Sequence, residues 1–199
     1  MKPLDTLTPE LADEYRSLWA SCVIRTEKAR QVKREALLAA SGEQRYRDAG
    51  GAVGAPWVFV GCVHMLEGGC NFNTHLHNGD PLKARTVHVP KGRPPLPLVP
   101  PFTWEQSAAD ALALKSLGQW RNWTIAGLLY QLERYNGWGH RLYHASVKSP
   151  YLWAGSNHYT KGKYVSDGKW SATAVSAQIG AAVLLRELES RGFWKAVIG

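Results

Sequence analysis

The sequence predicts a mainly α domain with one small β-hairpin and long aromatic loops. Three observations carry that expectation. Residues 56–66 are apolar almost all round, the pattern of a buried central helix. Several segments pair a Ser, Thr or Asn cap with apolar residues at helical spacing. The stretches 70–102 and 149–170 are rich instead in turn residues, prolines and aromatics. At 199 residues, 45% hydrophobic and 20% charged, the chain has room for one ordinary domain with a substantial core and not for two. Residues 1–50 read as an N-terminal helical extension packed on that single domain.

Thr8-Pro9-Glu10 reads as a helix start: a hydroxyl cap, proline in the first turn, and an acid at the positive dipole end. Leu11, Tyr15, Leu18, Trp19, Cys22 and Val23 follow at helical spacing, so one helix is expected from there to about Ala40, where Ser41-Gly42 interrupts it. The apolar helix from Pro56 ends at Glu67, and Gly68-Gly69 stop it. Asn78-Gly79-Asp80-Pro81 is turn chemistry, and Thr86-Val87-His88-Val89 alternates as a short strand does. "KGRPPLPLVPP" should be an extended connection outside any sheet interior. Thr103-Trp104-Glu105-Gln106 is a capping box for a helix to about Leu117. Asn122 or Thr124 caps another to about Arg134, closed by "RYNGWGHR". Residues 149–170 are expected to be loop, and Ser171 to Arg191 a final helix.

The net charge of +8 favours an anionic partner, such as a wall polymer, a membrane face or nucleic acid. No zinc finger, aromatic RNA-binding signature or phosphate loop accompanies it, so no nucleic-acid partner is expected. Cys22, Cys62 and Cys70 are odd in number and form no CxxC pair, which predicts reduced, buried thiols. "MKPLDTLTPELADEY" lacks a signal core and no apolar run reaches membrane-spanning length, so synthesis in the cytoplasm without membrane insertion is expected.

Glu67 stands out chemically. A carboxylate closing an apolar helix is desolvated and sits at the negative dipole end; both favour its protonated form, the state a general acid needs. The ordinary alternative is a helix-end glutamate that points to solvent or pairs with a cation. Asp80, thirteen residues on, is either turn material bonding its own backbone or a second carboxylate facing Glu67. His75, His77 and Asp80, with His64 or His88, could instead form a metal set for a cell-wall peptidase, although no HExxH or HxxEH is present. A GxSxG nucleophile motif is lacking too.

"VHMLEGGCNFNTHLHNGDPLKARTVHVPKGRPP", "FTWEQSAADAL", "LERYNGWGHR" and "SPYLWAGSNHYTKGKYVSDGKW" follow one another over residues 63–170, more than half of the chain. In that order they resemble the bacterial and phage "lysozyme family" proteins, distant relatives of goose-type lysozymes and lytic transglycosylases. The resemblance implies a lysozyme-like α+β fold and cleavage of the β-1,4 bond beside N-acetylmuramic acid in peptidoglycan, without a cofactor. Glu67 matches the catalytic acid, and Tyr135-Asn136 match the family's groove-lining Tyr-Asn. On this reading Asp80 orients water or supports the transition state, and Tyr135, Asn136, Tyr159, Trp153 and His77 hold the glycan strand. The family's Glu-Ser pair reads Glu67-Gly68 here. A transglycosylase needs no second carboxylate, so Asp80's part stays open. A monomer reaching the wall by phage-type release or by export is expected. A non-catalytic basic glycan-binding module is the alternative outside enzymes.

Overall fold

The computed structural model describes residues 6–166 and 168–199. The first five residues, part of the segment read for a signal core, lie outside the described residues. The chain resolves into two compact units, one from Asn122–Gly199 with the described part of Met1–Leu37, the other from Leu38–Arg121. The described residues are mainly helical and carry one small antiparallel sheet.

In the first unit, α1 (Pro9–Ala20) starts as its sequence dictates, with the Thr8 hydroxyl accepting from the Leu11 N–H. It packs on α6 (Ile125–Asn136), whose Thr124 cap accepts from Gly127 N–H and whose residues Ile125 to Glu133 are all buried. The short helices α7 (Gly139–Tyr143) and α8 (Pro150–Trp153) follow, then β1 (Lys163–Ser166), β2 (Lys169–Ser171) and α9 (Ala181–Ser190). Lys163 pairs with Ser171 and Tyr164 with Trp170, with an irregularity before Ser166.

The expected helix to Ala40 is in fact two. α1 ends at Ala20 and α2 (Ala29–Ser41) begins after a single 3₁₀ turn. The break forms because residues 22–25 have extended partners: Ile24 bridges Ser156, Val23 N–H donates to the Asn157 side chain, and Arg25 N–H donates to Gly155 O. The final helix is shorter than its periodicity suggests. Residues 172–180 form no regular element, and α9 starts only after Gly180, whose N–H donates to Ala154 O and which lies so close to the α8 backbone that a Cβ there would be 2.4 Å from the Leu152 carbonyl.

In the second unit, α3 (Glu43–Gly51) packs against α4 (Trp57–Gly68) and α5 (Trp104–Leu114). Every residue of α4 from Trp57 to Leu66 is buried, as the all-round apolar pattern requires. Thr103 and Gln106 form the capping box of α5. Trp104, Tyr46 and Phe72 gather around His64, so much of the aromatic surplus here is core. Cys62 and Cys70 here, like Cys22 in the first unit, are buried and form no disulfide.

The expected strand at 86–89 does not form. Its amide donors are taken elsewhere: Val87 and His88 N–H both donate to Asp80 Oδ2, at 2.8 and 3.0 Å. The Thr86 hydroxyl closes the loop on Pro90 O and accepts from Arg93 N–H. The region 70–102 is therefore a tied loop with one isolated bridge, Thr74 to Pro81, and the hairpin lies in 163–171, read from sequence as loop.

Candidate functional site

Glu67 occupies the last turn of α4 and is half-buried. The helix stops through two successive left-handed residues, Gly69 at φ 60° and Cys70 at φ 57°. Gly69 N–H returns to Met65 O and Cys70 N–H to His64 O, satisfying carbonyls the helix end would otherwise orphan. This sharp reversal brings the chain back over the helix end. Gly79, at φ 79°, packs there so tightly that a Cβ would lie 2.3 Å from the Glu67 carbonyl oxygen. Gly68 is equally confined: a Cβ would meet Thr74 Oγ1 at 2.6 Å, and that hydroxyl is itself held on Asn71 O at 2.8 Å. Glycine at 68 thus leaves the Thr74 hydroxyl its place against the helix end.

Asp80 is buried, and both of its oxygens are engaged. Oδ2 accepts the Val87 and His88 N–H groups, and Oδ1 lies 2.6 Å from His88 Nδ1. Burial alone would push its proton affinity up, but the His88 and Val87 hydrogen bonds outweigh it and hold the carboxyl below the usual range. It stays ionised as an anchor for the loop 86–93, and freeing it to activate water would release that loop. His88, by contrast, has a side chain 77% exposed.

His77 does not face a ligand. Its ring is 1% exposed, with Nε2 2.9 Å from Asp110 Oδ2 and Nδ1 3.3 Å from Ser107 Oγ. Arg93 grips the same Asp110 with two N–H groups. His75 is fully buried between Ser107 Oγ and Ala84 O. His75 and His77 thus share Ser107 and spend their other ring nitrogens on Ala84 O and Asp110, while Asp80 is taken up by Val87 and His88. Among the described residues, no group of three or more His, Cys, Asp or Glu is arranged to hold a metal.

Tyr135, Asn136, Trp153 and Tyr159 belong to the first unit. Trp153 is 1% exposed and packs edge-on to His158, so it is core and no sugar platform. Tyr159 is buried too, its hydroxyl accepting Ser176 N–H. Burial also takes Tyr135 out of reach. Asn136 lines a cavity of about 490 Å³, shared with Gly137, His140, Tyr151, Tyr164 and Gln178. Tyr151, Tyr164 and Gln178 carry no local sequence signal, because neither an aromatic nor a lone glutamine outside the helical patterns shows in sequence whether it will line a cavity. His140 is buried with its Nε2 unbonded, packed edge-on against Tyr164 and Trp170. Below Asn136, the buried Glu133 is held by Arg141 and the Tyr15 hydroxyl, and Arg141 continues to Glu14. This network braces α1 against α6 and α7.

A second cavity, of about 690 Å³, lies in the other unit between Phe72, Phe102 and Trp104, with Arg45 and Glu105 paired at 2.6 Å beside it. Glu67 lines neither cavity.

Three buried histidines give the protein a predictable acid response. Burial lowers His64 to about 4, Asn71 O offsetting it in part. His77 falls to about 4 by burial against the opposing pull of Asp110. His140 falls to about 4 by burial and the nearby His144. Unfolded histidines titrate near 6.5. Between about pH 6.5 and 4 the unfolded chain therefore binds protons that the native one refuses, and stability must fall with pH across that window. Denaturant midpoints at pH 7, 5.5 and 4.5 should descend in order; a flat series would mean these rings are protonated in the native state.

Compared with protein-family models, curated proteins and solved structures, the chain matches nothing.

Proposed function

We propose that the chain is a peptidoglycan glycosidase in which Glu67 protonates the glycosidic oxygen. The observation that carries this reading is the setting of Glu67: a half-buried carboxylate ending a fully buried helix, its main chain clamped by Gly79. A general acid needs such fixed presentation, because proton transfer depends on hydrogen-bond geometry to the leaving oxygen. Separately, and without Glu67 in its lining, the first unit's cavity at Asn136 has a lining suited to a saccharide, the amides of Asn136 and Gln178 with the rings of Tyr151 and Tyr164. Net charge of +8 would concentrate the protein on an anionic wall. Asp80 serves the site only as an anchor of the loop 86–93, next in sequence to the Gly79 that packs on the Glu67 carbonyl.

The full engagement of Asp80 favours a second form of the same chemistry. With both Asp80 oxygens engaged, the sugar's own hydroxyl can take the anomeric carbon as the glycosidic bond breaks, its proton going to the Glu67 carboxylate that has protonated the leaving oxygen, which gives the anhydro product of a lytic transglycosylase. The test is digestion of purified walls followed by mass spectrometry of the soluble fragments. New reducing ends support hydrolysis, and anhydro ends support the transglycosylase form. Release of amines without either, abolished by EDTA, would replace this reading with a metal-dependent peptidase. Binding to walls without any new chain end would leave a glycan-binding module.

A further inference from the structure

The segment 81–104 contains no aspartate or glutamate and four cations, Lys83, Arg85, Lys91 and Arg93. Within it, four aliphatic side chains stand in solvent: Val87 at 64%, Val89 at 74%, Leu96 at 76% and Val99 at 65% exposure. Single exposed aliphatics are ordinary, but four within one short loop form a feature. The loop is held in shape, which keeps them out of the core. Asp80 fixes 87 and 88, Thr86 closes on Pro90 and Arg93, and Arg85 donates to Leu98 O at 2.6 Å. Arg93 is neutralised by Asp110, whereas Lys83 and Lys91 are exposed on the same segment.

Exposed aliphatic groups interleaved with lysines, free of acids and preformed, match the requirements of an anionic bilayer interface: apolar groups to enter the acyl boundary and ammonium groups to meet headgroup phosphates. Nucleic acid would not reward the aliphatic groups, and a neutral glycan would not reward the lysines. We propose that the loop from Lys83 to Val99 docks the protein on anionic lipid surfaces. This does not depend on the glycosidase reading. No helix among the described residues is long and apolar enough to cross a membrane, so the contact is peripheral.

Co-sedimentation of the full chain with vesicles tests it. The protein should pellet with mixed phosphatidylcholine and phosphatidylglycerol vesicles and stay in solution with phosphatidylcholine alone. Lys83→Glu with Lys91→Glu should weaken binding at least about 25-fold, roughly fivefold for each lost lysine before the reversed charge is counted. Val89→Ser with Leu96→Ser should weaken it about tenfold at unchanged charge. Val175→Ser, 60% exposed in the other unit, should change nothing. Failure of the wild type to pellet with the mixed vesicles overturns the proposal. So does undiminished binding of the serine pair, which would leave only the general field of the +8 chain. Lipid-free self-association, seen by sedimentation velocity and lost in the serine pair, would assign the face to a second copy and overturn it as well.

Discussion

Glu67→Gln is expected to reduce the release of wall fragments about a thousandfold while the protein keeps its fold. Glutamine preserves the side chain's size and its acceptor oxygen but has no proton to give a leaving alkoxide. A thousandfold corresponds to about 4 kcal/mol of lost transition-state stabilisation, the middle of the range for a positioned general acid. Because residue 67 is half-buried at a helix end, the isosteric change should move the denaturation midpoint little. The decisive comparison is rate against stability in one preparation. A folded variant with wild-type rate would remove Glu67 from the mechanism.

Gly79→Ala is expected to destabilise the second unit by about 3 kcal/mol, a large effect for one methyl group. Two penalties combine. At φ 79° an alanine is strained, and its methyl would start 2.3 Å from the Glu67 carbonyl, a backbone atom that cannot step aside cheaply. Gly69→Ala separates the two: its φ is 60°, but a methyl there meets nothing within 4 Å, so only the strain of about 1 kcal/mol applies. Chemical denaturation of both variants measures the difference. Equal losses would show that the contact between the 79 turn and the end of α4 contributes nothing. Unequal losses, with activity falling further at Gly79 than stability explains, would tie the turn to the presentation of Glu67.

Where structure follows from neighbours along the chain, it was legible. The caps at Thr8, Thr103 and Thr124 each accept the amide their chemistry predicts, and the apolar run of α4 is the buried helix its pattern implies. Where a distant partner decides, it was not. Residues 22–25 leave the helix for Gly155, Ser156 and Asn157. Val87 and His88 give their amides to Asp80, so alternating residues form no strand. The real hairpin carried a legible sign in "YVSDGKW", an Asp-Gly between β-formers, outweighed by the aromatic loop character around it. At the candidate site, the helix-end position of Glu67 could be read because it follows from the apolar run before it and the glycines after it. Trp153, Tyr159 and His77 could not be sorted into core or groove, because their residue types suit either and only the fold exposes or buries them.

The Gly68 and Thr74 pair constrains the routes by which this loop can change. The hydroxyl of Thr74 fills the place a side chain at 68 would need, so the two positions trade volume. A side chain gained at 68 meets that hydroxyl one residue from Glu67 unless Thr74 turns or is shortened, so a change at either position alters what the other can carry. The glycine now beside the candidate acid depends on what threonine 74 already occupies.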